Sequence, residues 1–151
     1  MRERERLIGE LEAVRAEMHA VLALVDRGRE IYPGWTIKQV LAHIAGWDDA
    51  VNASLRAHLG CEEFATPAAA GIDPYNAELV ATRERLSYDQ VVAEWELARR
   101  ELIALVREIP EGRWEETHLY AWGERGTVSQ ELAIFIHHER EHADEIRDLL
   151  S

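Results

Sequence analysis

The sequence predicts an all-α fold, a four-helix bundle, on three observations. Apolar residues recur at steps of three and four along four long segments. Three Ser/Thr-x-x-Gln capping boxes stand directly ahead of three of those segments. No segment alternates apolar and polar residues strictly enough to form a strand of any length. Four amphipathic stripes in one chain of 151 residues are most simply buried against each other around one core, so residues 1–151 read as a single domain.

The first helix spans roughly residues 3–27, with Leu7, Leu11, Val14, Met18, Val21 and Val25 on one face. "RGREIYPG" then breaks it, with Pro33 and Gly34 as punctuation. The second helix starts at the Thr36–Gln39 box, carries Val40, Leu41, Ile44, Val51 and Leu55, and ends at Gly60. The third starts at the Ser87–Gln90 box, carries Val91, Trp95, Leu102, Leu105 and Ile109, and stops at Pro110 and Gly112. The fourth starts at the Thr127–Gln130 box and runs to the C-terminus.

Two connections are long, and long connections in a compact domain are more often functional than incidental. The first, "GCEEFATPAAAGIDPYN", leads into a short helical piece, "AELVATRERL". The second, "EGRWEETHLYAWGERG", carries Trp114, His118, Tyr120 and Trp122. Those rings either plug one end of the bundle or wall a pocket. Leu22, Ile44 and Ile103 widen the apolar stripes, which suggests a homodimer.

Composition excludes several functions. The formal net charge of -12 repels phosphate backbones, so no nucleic-acid partner is expected. No stretch is long and apolar enough to span a membrane. The N-terminus is charged and amphipathic rather than a secretory signal, so a cytoplasmic location is expected. Cys61, the lone cysteine, can form no disulfide within the chain.

The chemistry lies in the histidines. In "IFIHHEREHADEI", His138 and His142 are one turn apart and continue the stripe that runs from Val128, Leu132 and Phe135 to Ile146 and Leu149. His43 sits in the series Val40, His43, Trp47, Val51, and it too points inward. If the second and fourth helices are neighbours, the three imidazoles converge. Three protein ligands and an open position characterise a catalytic rather than a structural metal site. Imidazole suits Zn, Ni, Fe and Cu alike; zinc or nickel is the expected divalent ion. Glu145 and Asp48 are the carboxylates placed to orient the ligands. Metal affinity is expected to fall as pH drops through roughly 6.5. The site is expected at the end nearest the aromatic connection. His19, His58 and His137 read as ordinary helix residues, while His118 could line a pocket.

"GWTIKQVLAHIAGWDDAV" and, about 95 residues later, "FIHHEREHADEI" resemble the DinB/YfiT-like superfamily of small four-helix proteins. The segment from Asp73 to Val106 is most similar to its ClbS/DfsB branch. The resemblance implies metal ligands at His43, His138 and His142. It also implies an up-down-down-up bundle with a long crossover between the second and third helices, often dimeric. Where many members have Gly-Gln after the last ligand, this chain has Asp144 and Glu145. The resemblance implies activities of two kinds: thiol-dependent transferases and isomerases, and hydrolytic destruction of a reactive electrophile for self-protection.

Trp47 would wall the ion, Tyr75 and Asn76 would hydrogen-bond a substrate, and His118, Tyr120 and Trp122 would line the pocket. The resulting expectation is a metal-dependent enzyme acting on a small electrophile or thiol conjugate. The alternatives are a bundle that sequesters a small molecule without turnover and a structural bundle whose histidines are only packed.

Overall fold

The computed structural model describes residues 2–151. Eight elements follow in order: α1 (Arg2–Leu22), α2 (Ile37–Gly60), α3 (Ile72–Ala81), α4 (Tyr88–Glu108), α5 (Glu111–Trp114), β1 (His118–Leu119), β2 (Arg125–Gly126) and α6 (Val128–Leu150). The four long helices, α1, α2, α4 and α6, form the bundle. All three capping boxes are present. Ser87 Oγ accepts from the Gln90 N–H at 3.1 Å, and Gln90 Oε1 accepts from the Ser87 N–H at 2.8 Å. Thr127 and Gln130 repeat this at 3.3 and 3.1 Å. At Thr36 the backbone N–H and the hydroxyl both donate to Gln39 Oε1. Each box satisfies amides that a helix start leaves unpaired.

α2 packs most extensively against α4, and α1 against α6. Side-chain pairs give the directions. Arg15 meets Glu139 and Glu17 meets Arg140, so α1 and α6 run the same way. Asp48 meets Arg99 and Arg56 meets Glu101, so α2 and α4 also run together. Ser54 meets Glu131 while His43 meets His142, so α2 opposes α6. Two helices that run together need a connection returning the length of the bundle, and α3 lies on that return.

Two boundaries differ from the sequence reading. α1 stops at Leu22, five residues early, and the chain turns there, with Asp26 Oδ1 accepting from the Gly28 N–H at 2.8 Å. Val25 nevertheless stays buried, which extends the apolar stripe past the end of the helix. The short piece expected at 77–86 is α3, shifted toward the N-terminus. Pro74 stands in its first turn, where a missing N–H costs nothing. α3 docks through Leu79 onto Gly46 of α2: a Cβ at Gly46 would collide with the Leu79 methyls.

The core is two apolar clusters, one around Leu7, Leu11, Val51, Leu55, Val106 and Leu132, the other around Met18, Val21, Ile37, Leu41, Val91 and Ile146. Between them in each long helix lies a buried charge: Arg15, Asp48, Arg99 and Glu139. Arg99 Nε and Nη2 donate to Asp48 at 2.9 and 3.2 Å, and Nη2 also donates to Glu139 at 2.6 Å. Arg15 Nε donates to Glu139 at 3.0 Å. Arg99 Nη1 donates to the Leu11 carbonyl and Arg15 Nη1 to the Trp95 carbonyl, while Arg15 Nη2 faces Asp48 at 3.7 Å without a hydrogen bond. Two cations and two anions thus close a neutral layer that ties all four helices together. For Asp48 burial outweighs the guanidiniums and lifts its carboxyl above the usual range. For Glu139 burial is outweighed by Arg99 and Arg15, which hold its carboxyl low.

Leu22 and Ile103 pack on the core and Ile44 is buried, so the apolar positions that suggested a homodimer are used within the chain. A homodimer then rests on the family resemblance alone. No described helix is long and apolar enough to cross a membrane.

Candidate metal centre and its cleft

His43, His138 and His142 lie together between α2 and α6, with one ring nitrogen from each within 4.8 Å of the others. Their ring centroids are 4.5 to 5.4 Å apart. His138 Nε2 and His142 Nε2 are 3.1 Å apart, close to the ~3.3 Å between two ligands of one tetrahedral ion with bonds of ~2.0–2.1 Å. Three atoms within 4.8 Å of each other share a point no more than about 2.8 Å from all of them. A contraction of roughly 0.7 Å would bring that point to ligand distance. The rings therefore fit one ion. Among the described residues His43 Nδ1 has no hydrogen-bond partner.

The site is also electrostatically prepared. Burial, then the neighbouring imidazoles, lowers His43 to about 3. Burial, then His138, lowers His142 to about 4. Burial lowers His138 as well. All three are neutral at physiological pH, the state that ligates. Competition by protons in the folded protein therefore sets in below the sequence expectation of roughly 6.5.

The turn between α1 and α2 covers the site. Tyr32 and Trp35 bracket Pro33 and Gly34 as a bridged pair, with Gly34 at φ 79° as the turn requires. Trp35 packs on His43 with centroids 5.3 Å apart, and Tyr32 packs on His142 at 5.6 Å. The Tyr32 hydroxyl is 2.7 Å from His142 Nδ1. Burial, then a hydrogen bond and the charge of Glu145, push that hydroxyl above its usual range, so it stays protonated. The sequence reading missed both aromatics, although "YPGW" brackets a turn with rings just ahead of a helix. Its carboxylates are corrected. Asp48 belongs to the ionic layer rather than to His43. Glu145 reaches His142 only through Tyr32.

Beside the histidines opens a cleft of about 270 Å³, lined by His43, Trp47, Ile72, Asn76, Trp122, Ile134, Phe135, His138 and Glu124. Trp47 Nε1 donates to Asn76 Oδ1 at 2.7 Å. Tyr75 meets Trp47 edge-on at 5.0 Å, supporting the wall without lining the cleft. Trp122 arrives from the aromatic connection. Ile72 and Ile134 are 44% and 48% exposed, an apolar rim the sequence reading did not include.

His118 and Tyr120 lie elsewhere, contrary to expectation. His118 is buried against Glu131 at 2.8 Å and stacks on His58. It lines a different hollow, beside Cys61 and Arg113. Tyr120 is buried, and its hydroxyl donates to the Thr127 carbonyl at 2.7 Å. Trp114 is buried too, bonded to Glu3. Most of the aromatic connection, folded as α5 and the β1–β2 hairpin, therefore closes one end of the bundle. The metal candidates sit instead under the Tyr32–Trp35 turn, with Trp122 the loop's one ring at the cleft. The periodicity of two helices points inward, but only their packing decides what covers them.

Solved structures share this fold, among them the following three. The mycothiol-dependent maleylpyruvate isomerase is 23% identical, with a TM-score of 0.78 over 95% of this chain and 60% of that one. The present chain thus spans less than two thirds of that enzyme. The colibactin self-resistance protein ClbS, crystallised in complex with a double-stranded DNA, is 13% identical, with a TM-score of 0.78 over 97% of this chain and 94% of its own. YfiT from Bacillus subtilis, described as a probable metal-dependent hydrolase with an unusual four-helix bundle topology, is 18% identical, with a TM-score of 0.73 over 97% of this chain and 85% of its own. No curated protein matches in sequence. The family model of the DinB superfamily matches residues 28–146, and the chain belongs to that superfamily.

Proposed function

We propose that this protein is a divalent-metal-dependent enzyme acting on a small electrophile or a thiol conjugate. The observation that carries the reading is a cluster of three neutral imidazoles, two of which, His43 and His138, line a small, mostly apolar cleft. A divalent ion there would supply a Lewis acid able to acidify a bound water or hold a thiolate. His43, His138 and His142 would hold it, and Tyr32 and Trp35 keep water from the far side of the rings. Trp47 and Trp122 give the cleft two aromatic walls that suit an apolar or planar substrate body. Asn76 is oriented by Trp47 with its carbonyl engaged, which leaves its amide hydrogens to donate to a substrate oxygen. Among the described residues Glu124 is the one carboxylate lining the cleft, and it is the candidate to carry a proton.

The likeness to an isomerase that depends on mycothiol and to a probable metal-dependent hydrolase supports this class of chemistry. The net charge of -12 and the apolar cleft favour a small-molecule substrate over nucleic acid. A second reading, capture of a small molecule without turnover, is favoured by the same apolar lining.

Elemental analysis of the purified protein beside His43→Ala comes first. One equivalent of zinc or nickel in the wild type, lost in the variant, supports the site; equal, substoichiometric metal in both rejects it. Consumption of small electrophiles, assayed with and without a low-molecular-weight thiol, then separates turnover from capture.

A further inference from the structure

We propose that Tyr32, in the turn before α2, is a positioning residue for the metal site: its hydroxyl selects the His142 tautomer that leaves Nε2 bare. This rests on the metal-site reading above, but its first test does not need the metal. Four observations carry it. The phenol oxygen is 2.7 Å from His142 Nδ1. Glu145, whose carboxylate when ionised can only accept, stands beside the same hydroxyl. His142 Nε2 faces His138 Nε2 at 3.1 Å. The Tyr32 ring is held edge-on against the imidazole, at 70° and 5.6 Å.

A phenol has one hydrogen. With the Glu145 carboxylate taking it, the phenol oxygen is left as an acceptor, and the hydrogen between it and His142 must come from Nδ1. A neutral imidazole carries one N–H, so Nε2 is then unprotonated. In the metal-free protein the hydrogen in the Nε2–Nε2 contact belongs to His138. The opposite arrangement, with Tyr32 donating to Nδ1, would put a hydrogen on His142 Nε2, in the place a ligand must offer its lone pair. The order Glu145, Tyr32, His142 thus replaces a direct carboxylate–histidine pair by one with a tyrosine between. It also attaches the α1–α2 turn to α6 at a ligand.

Long-range ¹H–¹⁵N correlation spectra of the metal-free protein read the tautomer directly. The wild type is expected to show His142 protonated at Nδ1, and Tyr32→Phe a mixed or reversed population. Zinc affinity, from competition with a chromogenic chelator, is expected to fall about 10- to 100-fold in Tyr32→Phe. Glu145→Gln, at an exposed position where folding is not at stake, can donate to the phenol oxygen and is expected to shift the tautomer the same way. Wild-type His142 protonated at Nε2 overturns the proposal, as does a Tyr32→Phe tautomer and zinc affinity indistinguishable from wild type. A wild type that binds no zinc defeats the metal-site reading, while the spectra still decide the role of Tyr32.

Discussion

Moving the metal-free protein from pH 7 to pH 5.5 tests the electrostatics of the triad. An unfolded histidine titrates near 6.5, whereas folded His43 and His142 titrate at about 3 and about 4. A base whose folded pKa lies below its unfolded value binds fewer protons in the native state. Its contribution is therefore intact above about 6.5 and is lost progressively as pH falls toward the folded value. Integrated from pH 7 to 5.5, each such histidine removes about 1.2 kcal/mol, so the pair removes about 2.5 kcal/mol. Urea unfolding at both pH values, on wild type and on a His43→Gln/His142→Gln double variant, isolates this quantity. Titrating groups that do not touch the pair cancel in the difference. The wild type is expected to lose about 2.5 kcal/mol more than the variant. Equal losses would refute the reasoning, because the imidazoles would then be hydrated or paired in the fold. Zinc at 100 times its Kd should add about 2.7 kcal/mol to the wild type at pH 7 and nothing to the variant.

Three further outcomes are expected. Arg99→Met strands Asp48 and Glu139 with only Arg15 and should lower stability by about 3–5 kcal/mol in denaturant titrations, whereas the added substitution Asp48→Asn should recover part of the loss; an unchanged midpoint in the single variant would mean that the ionic layer contributes nothing. Gly46→Ala places a methyl against Leu79 and should cost about 1–3 kcal/mol. By displacing α3 it should also alter the fluorescence of Trp47, and full thermal stability would contradict the close α2–α3 contact. Ser87→Ala removes the cap of α4 and should cost about 1 kcal/mol, read as a lowered melting temperature; no shift would show the box to be idle.

The bundle was legible in the sequence because its signals are local. A capping box involves residues three apart, and a stripe repeats every turn, so the starts of α2, α4 and α6 needed no tertiary information. The same periodicity showed that His43, His138 and His142 face inward, since the direction of a helical side chain follows from its position in the turn. The end of α1 was misplaced because Val25 remains buried after the helix has stopped. Burial marks the stripe, and the hydrogen bonds that end a helix leave no periodic trace.

What the sequence left open depended on contacts between distant residues. Tyr32 and His142 are separated by 110 positions, and nothing near either one announces the other. Arg15, Asp48, Arg99 and Glu139 resemble surface charges in a chain that is 30% charged. Only the packing of four helices turns them inward and makes them neutralise one another. His118 and Tyr120 share a connection with Trp122, yet the hairpin's fold sends only Trp122 to the cleft. Local pattern therefore determined the helices and the inward direction of the histidines. Tertiary packing decided which rings cover the site, which carboxylate reaches it and which charges cancel, because each of those depends on the distance between segments that the chain brings together only by folding.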